Sequence, residues 1–364
     1  MHMFILAAIL AQEAPKIDEI KVSEAIRRGI DWLKPQGVVN DGGNGTLELV
    51  LLTLLHGGVK KNDPRVKELL EQMLAKEPEF TYRTALRAMV LEELQRVKHQ
   101  AEIHKCAQFL LDNQTAQGIW SYGTKTTYTQ VVPTPKDPVA SGGPKVVGFG
   151  EPEPGVKPKV LQKVPVKKNR EMPGGGDNSN SQYAALGLRA CHDAGIVLPV
   201  EAVRLSQKWW RDQQSDPDAK DGGYGGAGWG YGGKSAAAWG SMTVGATGSL
   251  AICDYILGEN WKGDKACRMG AEWIGFHFKV EDNPKHENPG AWHYYYLYGL
   301  ERAGVLYDTP KFGKWDWYAY GAKFLLEQQK PEGHWGDLTN TCFAILFLKR
   351  ATRPLVASEG RRKP

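Results

Sequence analysis

Cysteine is scarce in this chain, and no two cysteines stand in a Cys-x-x-Cys spacing. Five Cys in 364 residues, an odd number without paired spacing, argue against a disulfide framework and against a zinc knuckle. Cys106, Cys191, Cys253 and Cys267 fall inside apolar helical patterns and read as small core residues. Long apolar runs are missing too. The longest candidate, Met3 to Leu10, is far short of the roughly 20 residues that cross a bilayer. Basic blocks are also absent. The net charge is +5, but Lys and Arg are interspersed with acids, so nucleic acid is not an expected partner. The Gly-rich stretch GGYGGAGWGYGG, 222–233, lacks the strand context and spacing of a phosphate loop, and no cofactor is expected.

What is present starts with the leader MHMFILAAILAQEAP. Its apolar core, with a possible cleavage after Ala11, reads as a minimal signal peptide over 1–11, giving a secreted or periplasmic protein. Beyond it the chain repeats itself. FLLDNQTAQGIW, from Phe109, and FLLEQQKPEGHW, from Phe324, share an aromatic, two Leu, a Gln five residues on, and a closing Gly-x-Trp. Trp209 with Gln214 gives a variant.

Units built around these stretches pair an amphipathic helix with one that is apolar on nearly all sides. The second must be buried on most sides, and the first can cover it. Six pairs are expected: 23–34 with 46–56, 65–75 with 82–94, 101–113 with 181–194, 203–213 with 243–257, 265–278 with 292–303, and 318–328 with 341–351. Gly58, Gly195 and Gly304 are expected to cap helix C-termini, and Asp63-Pro64 and Leu198-Pro199 to start new helices. The last helix is as apolar as the others, so the pairs should close into two rings rather than form an open solenoid. The expected fold is all-α, one domain over 12–364 with six inner and six outer helices. It is interrupted by a Pro/Lys/Gly-rich insert over 124–176, expected to be a disordered, mobile loop or lid.

The motif aromatic-Leu-x-x-x-Gln…Gly-x-Trp resembles the QW repeat of terpenoid (squalene–hopene type) cyclases, and the helix pairs resemble the protein prenyltransferase β subunit. The resemblance implies an α/α toroid with a central cavity, and function where the inner helices begin. At the position where such cyclases carry Asp-x-Asp-Asp, this chain has Asp177, Asn178, Ser179 and Asn180. Ser179 replaces the acid, and a serine hydroxyl holds its proton too tightly to protonate an alkene. Asp177 has an alternative role as a helix cap. The prenyltransferase zinc site is altered as well. Asn340 stands where His is expected, leaving Asp337, His293 and Cys342 as a substitute ligand trio.

Candidate ligand-binding residues are Tyr82, Asp177, Asn178, Ser179, Asn180, Gln182, His293, Tyr294 and Cys342, with Asp177 the one catalytic candidate. Tyr294, Tyr298 and Glu301 share a helix face by spacing. The expected partner is a hydrophobic, polyprenyl-type small molecule or a peptide in the central cavity. Two alternatives stay open. One is a divergent enzyme acting on isoprenoids or carbohydrates, for which Asp41, Asp177, Glu287 and Asp337 are the candidate carboxyls. The other is a secreted interaction scaffold that docks through the insert. Oligomeric state is not legible.

Overall fold

The computed structural model describes residues 13–38, 43–130, 132, 157–217 and 226–356. The leader lies outside these residues, as do Asp41, much of the insert and part of the Gly-rich loop. Twelve α-helices occur among them: α1 (Glu19–Leu33), α2 (Thr46–His56), α3 (Pro64–Leu74), α4 (Thr81–Gln95), α5 (Gln100–Asp112), α6 (Asn178–Asp193), α7 (Val200–Asp212), α8 (Gly240–Leu257), α9 (Lys265–Phe276), α10 (His293–Leu306), α11 (Trp317–Gln328) and α12 (Leu338–Lys349). They match the six expected pairs within a few residues at each end.

Even-numbered helices form a closed inner ring: α2 packs on α4, then α6, α8, α10 and α12, and α12 returns to α2. Odd-numbered helices lie outside, α5 against α4 and α6, and α1 against α12 and α2. Apolar patterning decides which ring a helix joins. The outer α1 buries Val22, Ala25, Gly29, Ile30 and Leu33, a single stripe at helical spacing. The inner α12 buries every residue from Thr341 to Leu348. The core is the layer between the rings.

Three Gln–Trp units fasten the outer ring with one repeated geometry. Gln114 Nε2 donates to the Ala202 carbonyl of α7 at 2.8 Å, Gln214 Nε2 to Ala266 of α9 at 2.9 Å, and Gln329 Nε2 to Ala25 of α1 at 2.8 Å. Each Gln therefore reaches into the next outer helix. The following Trp closes the helix that precedes it. Trp120, Trp229 and Trp335 donate their indole N–H to the carbonyls of Leu110, Trp210 and Leu325 at 2.7–2.8 Å. Those carbonyls belong to the last turn of the helix, where no backbone donor is in register. Gly118, Gly226 and Gly333 have positive φ (86°, 70° and 100°). Each presses on the backbone carbonyl three residues after the bonded Ala, at Leu205, Met269 and Arg28. A Cβ would collide there, so glycine is required on two grounds.

Two expectations need correction. Gly58 and Gly195 do adopt positive φ after their helices, but Gly304 lies inside α10, which continues to Leu306. Its bare backbone makes room for the Trp317 indole, which donates to the Thr309 carbonyl at 2.8 Å. Nor is the whole insert a loose loop. Its described end, 157–176, is built into the fold. Strand β1 (Val164–Pro165) pairs in parallel with β2 (Ile196–Val197), Val164 and Val166 are buried, and the Asn169 amide donates to Asp112 at 2.7 Å. Valines at alternate positions carried this signal, masked by the surrounding Pro and Lys.

The Gln329–Ala25 bond joins the last outer helix to the first. Replacing Gln329 with Ala leaves the Ala25 and Gly333 carbonyls without this donor and should cost about 2 kcal/mol. A lower urea midpoint at unchanged slope checks this.

Candidate functional site

The inner helices all begin at one end of the barrel. Tyr82 of α4 meets Ser179 of α6 in a short hydrogen bond, and both hydroxyls reach Tyr295 of α10, at 3.4 and 3.1 Å. Asn283 Oδ1, in the loop before α10, accepts from the Ser241 amide of α8 at 2.9 Å. At the other end, His56, Glu93, Asp193 and Thr352, which end or follow inner helices, line one hollow.

Asp177 caps α6, accepting from Asn180 N at 2.7 Å and Asn180 Nδ2 at 2.9 Å. Asp337 caps α12 identically through Asn340, at 2.7 and 3.1 Å. The two carboxylates are thus the same structural device at two inner helices. Asn178 is buried and committed: its Nδ2 donates to the Gly230 carbonyl, and its Oδ1 accepts from the Trp209 indole, both at 2.8 Å. Tyr231 lies beside Asp177. Burial first, and then the Asp177 charge, push its phenol up to about 12.

The substitute zinc trio does not converge. His293 Nε2 pairs with the Val280 carbonyl at 2.8 Å, and burial lowers its pKa. Cys342 is fully buried beside Thr53 of α2, and burial pushes its thiol up to about 12. Asp337 is held in its cap. Each candidate ligand is therefore engaged elsewhere. Among the described residues, the set of three metal-ligand atoms within 4.8 Å is Asp254, Asp264 and Cys267. There the Arg211 guanidinium bridges both carboxylates, at 3.2 and 2.9 Å. Glu287 is exposed.

Below the Tyr82–Ser179–Tyr295 trio the lumen is occupied by its own side chains. Tyr183 lies between Tyr82 and Tyr295, with ring centroids 4.3 and 6.1 Å away. Arg302 lies over Tyr298 and Tyr183, 4.2 and 5.3 Å from their centroids, and its Nη2 donates to Gln182 Oε1 at 3.1 Å. Arg302 was not foreseen as a lumen residue; it lies four positions after Tyr298 on the same helix face, whereas Glu301 turns away to Thr352. The void beside it measures about 10 Å³, and the hollow at the C-terminal end about 70 Å³.

Around the mouth the surface is aromatic. Trp292 is 70% exposed, Tyr122 51% and Tyr231 43%. Tyr231 stacks near Trp239 at 6.4 Å, and Trp239 meets His286 edge-on at 4.9 Å. Phe80 and Trp292, each just before an inner helix, have positive φ of 62° and 58°. That conformation is strained for bulky residues.

No protein-family profile matches the chain, and no curated protein matches it in sequence. Among solved structures it is similar to the type II terpene cyclase MstE from Scytonema in its apo form, with a TM-score of 0.53 and 12% identity, over 91% of this chain and 99% of that one. A variant of the same cyclase in complex with merosterolic acid A, a product, gives a TM-score of 0.55 at 12% identity, over 92% and 97%. The fold is that of a terpenoid cyclase. In this terpenoid cyclase-like toroid the similarity spans nearly the full length of both chains.

The end opposite the mouth is closed by charge. Lys157, from the insert, pairs with Glu92 and Glu93, and Arg353 pairs with Glu93 at 3.1 Å. Glu301 points to this end as well, accepting from Thr352 N at 2.9 Å and Thr352 Oγ1 at 2.6 Å. Burial holds its carboxyl at about 7, against an ordinary 4.5. A folded-state pKa raised in this way contributes stability below 4.5 that is lost as pH rises through 7. In Glu301→Gln the uncharged amide oxygen accepts from Thr352 N, and the amide nitrogen donates to the Thr352 hydroxyl, whose role reverses. The variant should flatten that loss and exceed the native chain at pH 8 by roughly 3 kcal/mol, read from urea midpoints across the pH range.

Proposed function

We propose that this chain is a non-catalytic terpenoid cyclase-like toroid that recognises an extended, acidic peptide segment on the aromatic rim of its N-terminal mouth. The filled lumen carries this reading. Hollows of about 10 and 70 Å³ compare with roughly 300–1,000 Å³ for small-molecule pockets. A polyprenyl-type ligand in the central cavity therefore has less support than a ligand on the rim.

The chemistry of the lumen points the same way. Protonating an alkene leaves a carbocation, and the buried Arg302 guanidinium is a fixed charge of the wrong sign beside it. Ser179 stands where the acid would be, and its hydroxyl is shared with two tyrosines. The capping duties of Asp177 and Asp337 weaken the case for a carbohydrate enzyme built on that pair.

Three features of the rim suit an acidic peptide. Trp292, Tyr122 and Tyr231 offer exposed rings that lose water and anchor apolar side chains when a partner covers them. No side chain caps the first turns of α4 and α10. Their positive dipole ends therefore favour carboxylates at this mouth. The leader supports export, so the peptide would be met in the periplasm or outside the cell.

Peptide display against the full chain, counter-selected with Trp292→Ala, tests this. Enriched peptides should carry Asp, Glu or a terminal carboxylate near an apolar residue. They should bind about tenfold more weakly to the variant, a loss of about 1.4 kcal/mol, with its unfolding midpoint unchanged. Stoichiometric retention of squalene or a polyprenol in native mass spectrometry, with no peptide enriched, would overturn the proposal.

A further inference from the structure

Arg302 is 2% exposed, and among the described residues no carboxylate lies within ion-pair distance of it. Its neighbour Glu301 faces Thr352 instead. A buried charge without a partner is among the most unfavourable arrangements in a protein interior. The faces of Tyr183 and Tyr298 supply part of the compensation, but a ring quadrupole is a weak substitute for a counter-ion.

Two further observations meet at the same place. Arg302 Nη1 is buried with no hydrogen-bond partner, and so is Gln182 Nε2. The amide cannot relieve this by turning over. Arg302 has only donors, so Gln182 must present its oxygen to Nη2 and leave its nitrogen without an acceptor. Both residues line the void of about 10 Å³, with Val244, Ser249 and Leu306 among its other walls. The Ser249 hydroxyl donates to the Gly245 carbonyl at 2.7 Å, and neither Arg302 Nη1 nor Gln182 Nε2 bonds to it. The backbone of Gly245 gives way to the Gln182 amide, where a Cβ would collide. What is missing is an acceptor about the size of one water, in a partly apolar setting, facing a positive charge.

We infer that the void is a binding site for a monatomic halide, chloride being the abundant one, held by Arg302 Nη1 and Gln182 Nε2. A chloride is only slightly larger in radius than a water, whereas a polyatomic anion such as phosphate or a carboxylate is several times the size of the void. A water molecule satisfies the donors but leaves the charge uncompensated.

Thermal unfolding of the full chain at constant ionic strength, with potassium gluconate exchanged for potassium chloride or bromide, tests this. The midpoint should rise by a few degrees as halide replaces gluconate, growing with the logarithm of halide concentration above the dissociation constant, as linked binding requires. Gln182→Glu places a carboxylate against Arg302. It should raise the midpoint in gluconate and abolish the response to chloride. Arg302→Met should abolish the response too; if that variant does not fold, Gln182→Glu makes the same distinction alone. Equal midpoints in chloride and gluconate, or a chloride response that persists undiminished in Gln182→Glu, would overturn the assignment.

Discussion

Closure of the ring is the constraint on which the rest depends. An apolar helix such as α12 has no polar face to show to water, so each inner helix needs neighbours on both sides and a cover behind. In an open array the first and last would lack one. Here α12 returns to α2, and Gln329 reaches across the chain ends to Ala25. The Trp32 ring lies 4.8 Å from His334 at the same seam. Because all six inner helices run the same way, closure also gives the molecule two unlike ends. One gathers helix N-termini and aromatic rings, the other helix C-termini and a network of ion pairs.

The scaffold was largely legible because it repeats. A Gln and a Trp at matching offsets have one physical role in each copy, and the apolar periodicity separates inner from outer helices without ambiguity. The direction of the Gln bond was not legible. The partner is an Ala carbonyl in the next outer helix. Ala25, Ala202 and Ala266 are buried small residues that let the amide approach, and nothing local distinguishes them from other core alanines. Gly304 misled for a related reason. A glycine near the end of an apolar run fits a cap and also fits a notch for a ring, and only Trp317, thirteen positions later, decides between them.

The candidate site was legible in position but not in content. Asp177, Ser179, Tyr82 and Gln182 do gather where α4 and α6 begin. Their roles there depend on pairings between distant segments. Asp177 and Asp337 repeat one capping device, which the shared Asp-x-x-Asn spacing could have revealed. His293 and Cys342 gave no such hint, because a metal set and a pair of separate core residues look alike in one dimension. Arg302 was the largest omission. It sits in an apolar helix directly after Glu301, and helical geometry sends the two side chains in different directions.

The distribution of buried charge separates scaffold from function more sharply than shape does. Arg83 is matched by Glu48 at 3.2 Å, Arg87 by Glu102 at 2.6 Å, and Asp254 by Arg211 at 3.2 Å. These pairs tie helices together, and each carries its compensation in the chain. Arg302 follows a different rule. It holds the centre of the lumen by charge, hydrogen bonding and ring contacts at once, and it fills the space that a long apolar substrate would need. A guanidinium held there makes the centre of the ring a packed core, and the proposed recognition at the rim rests on that packing.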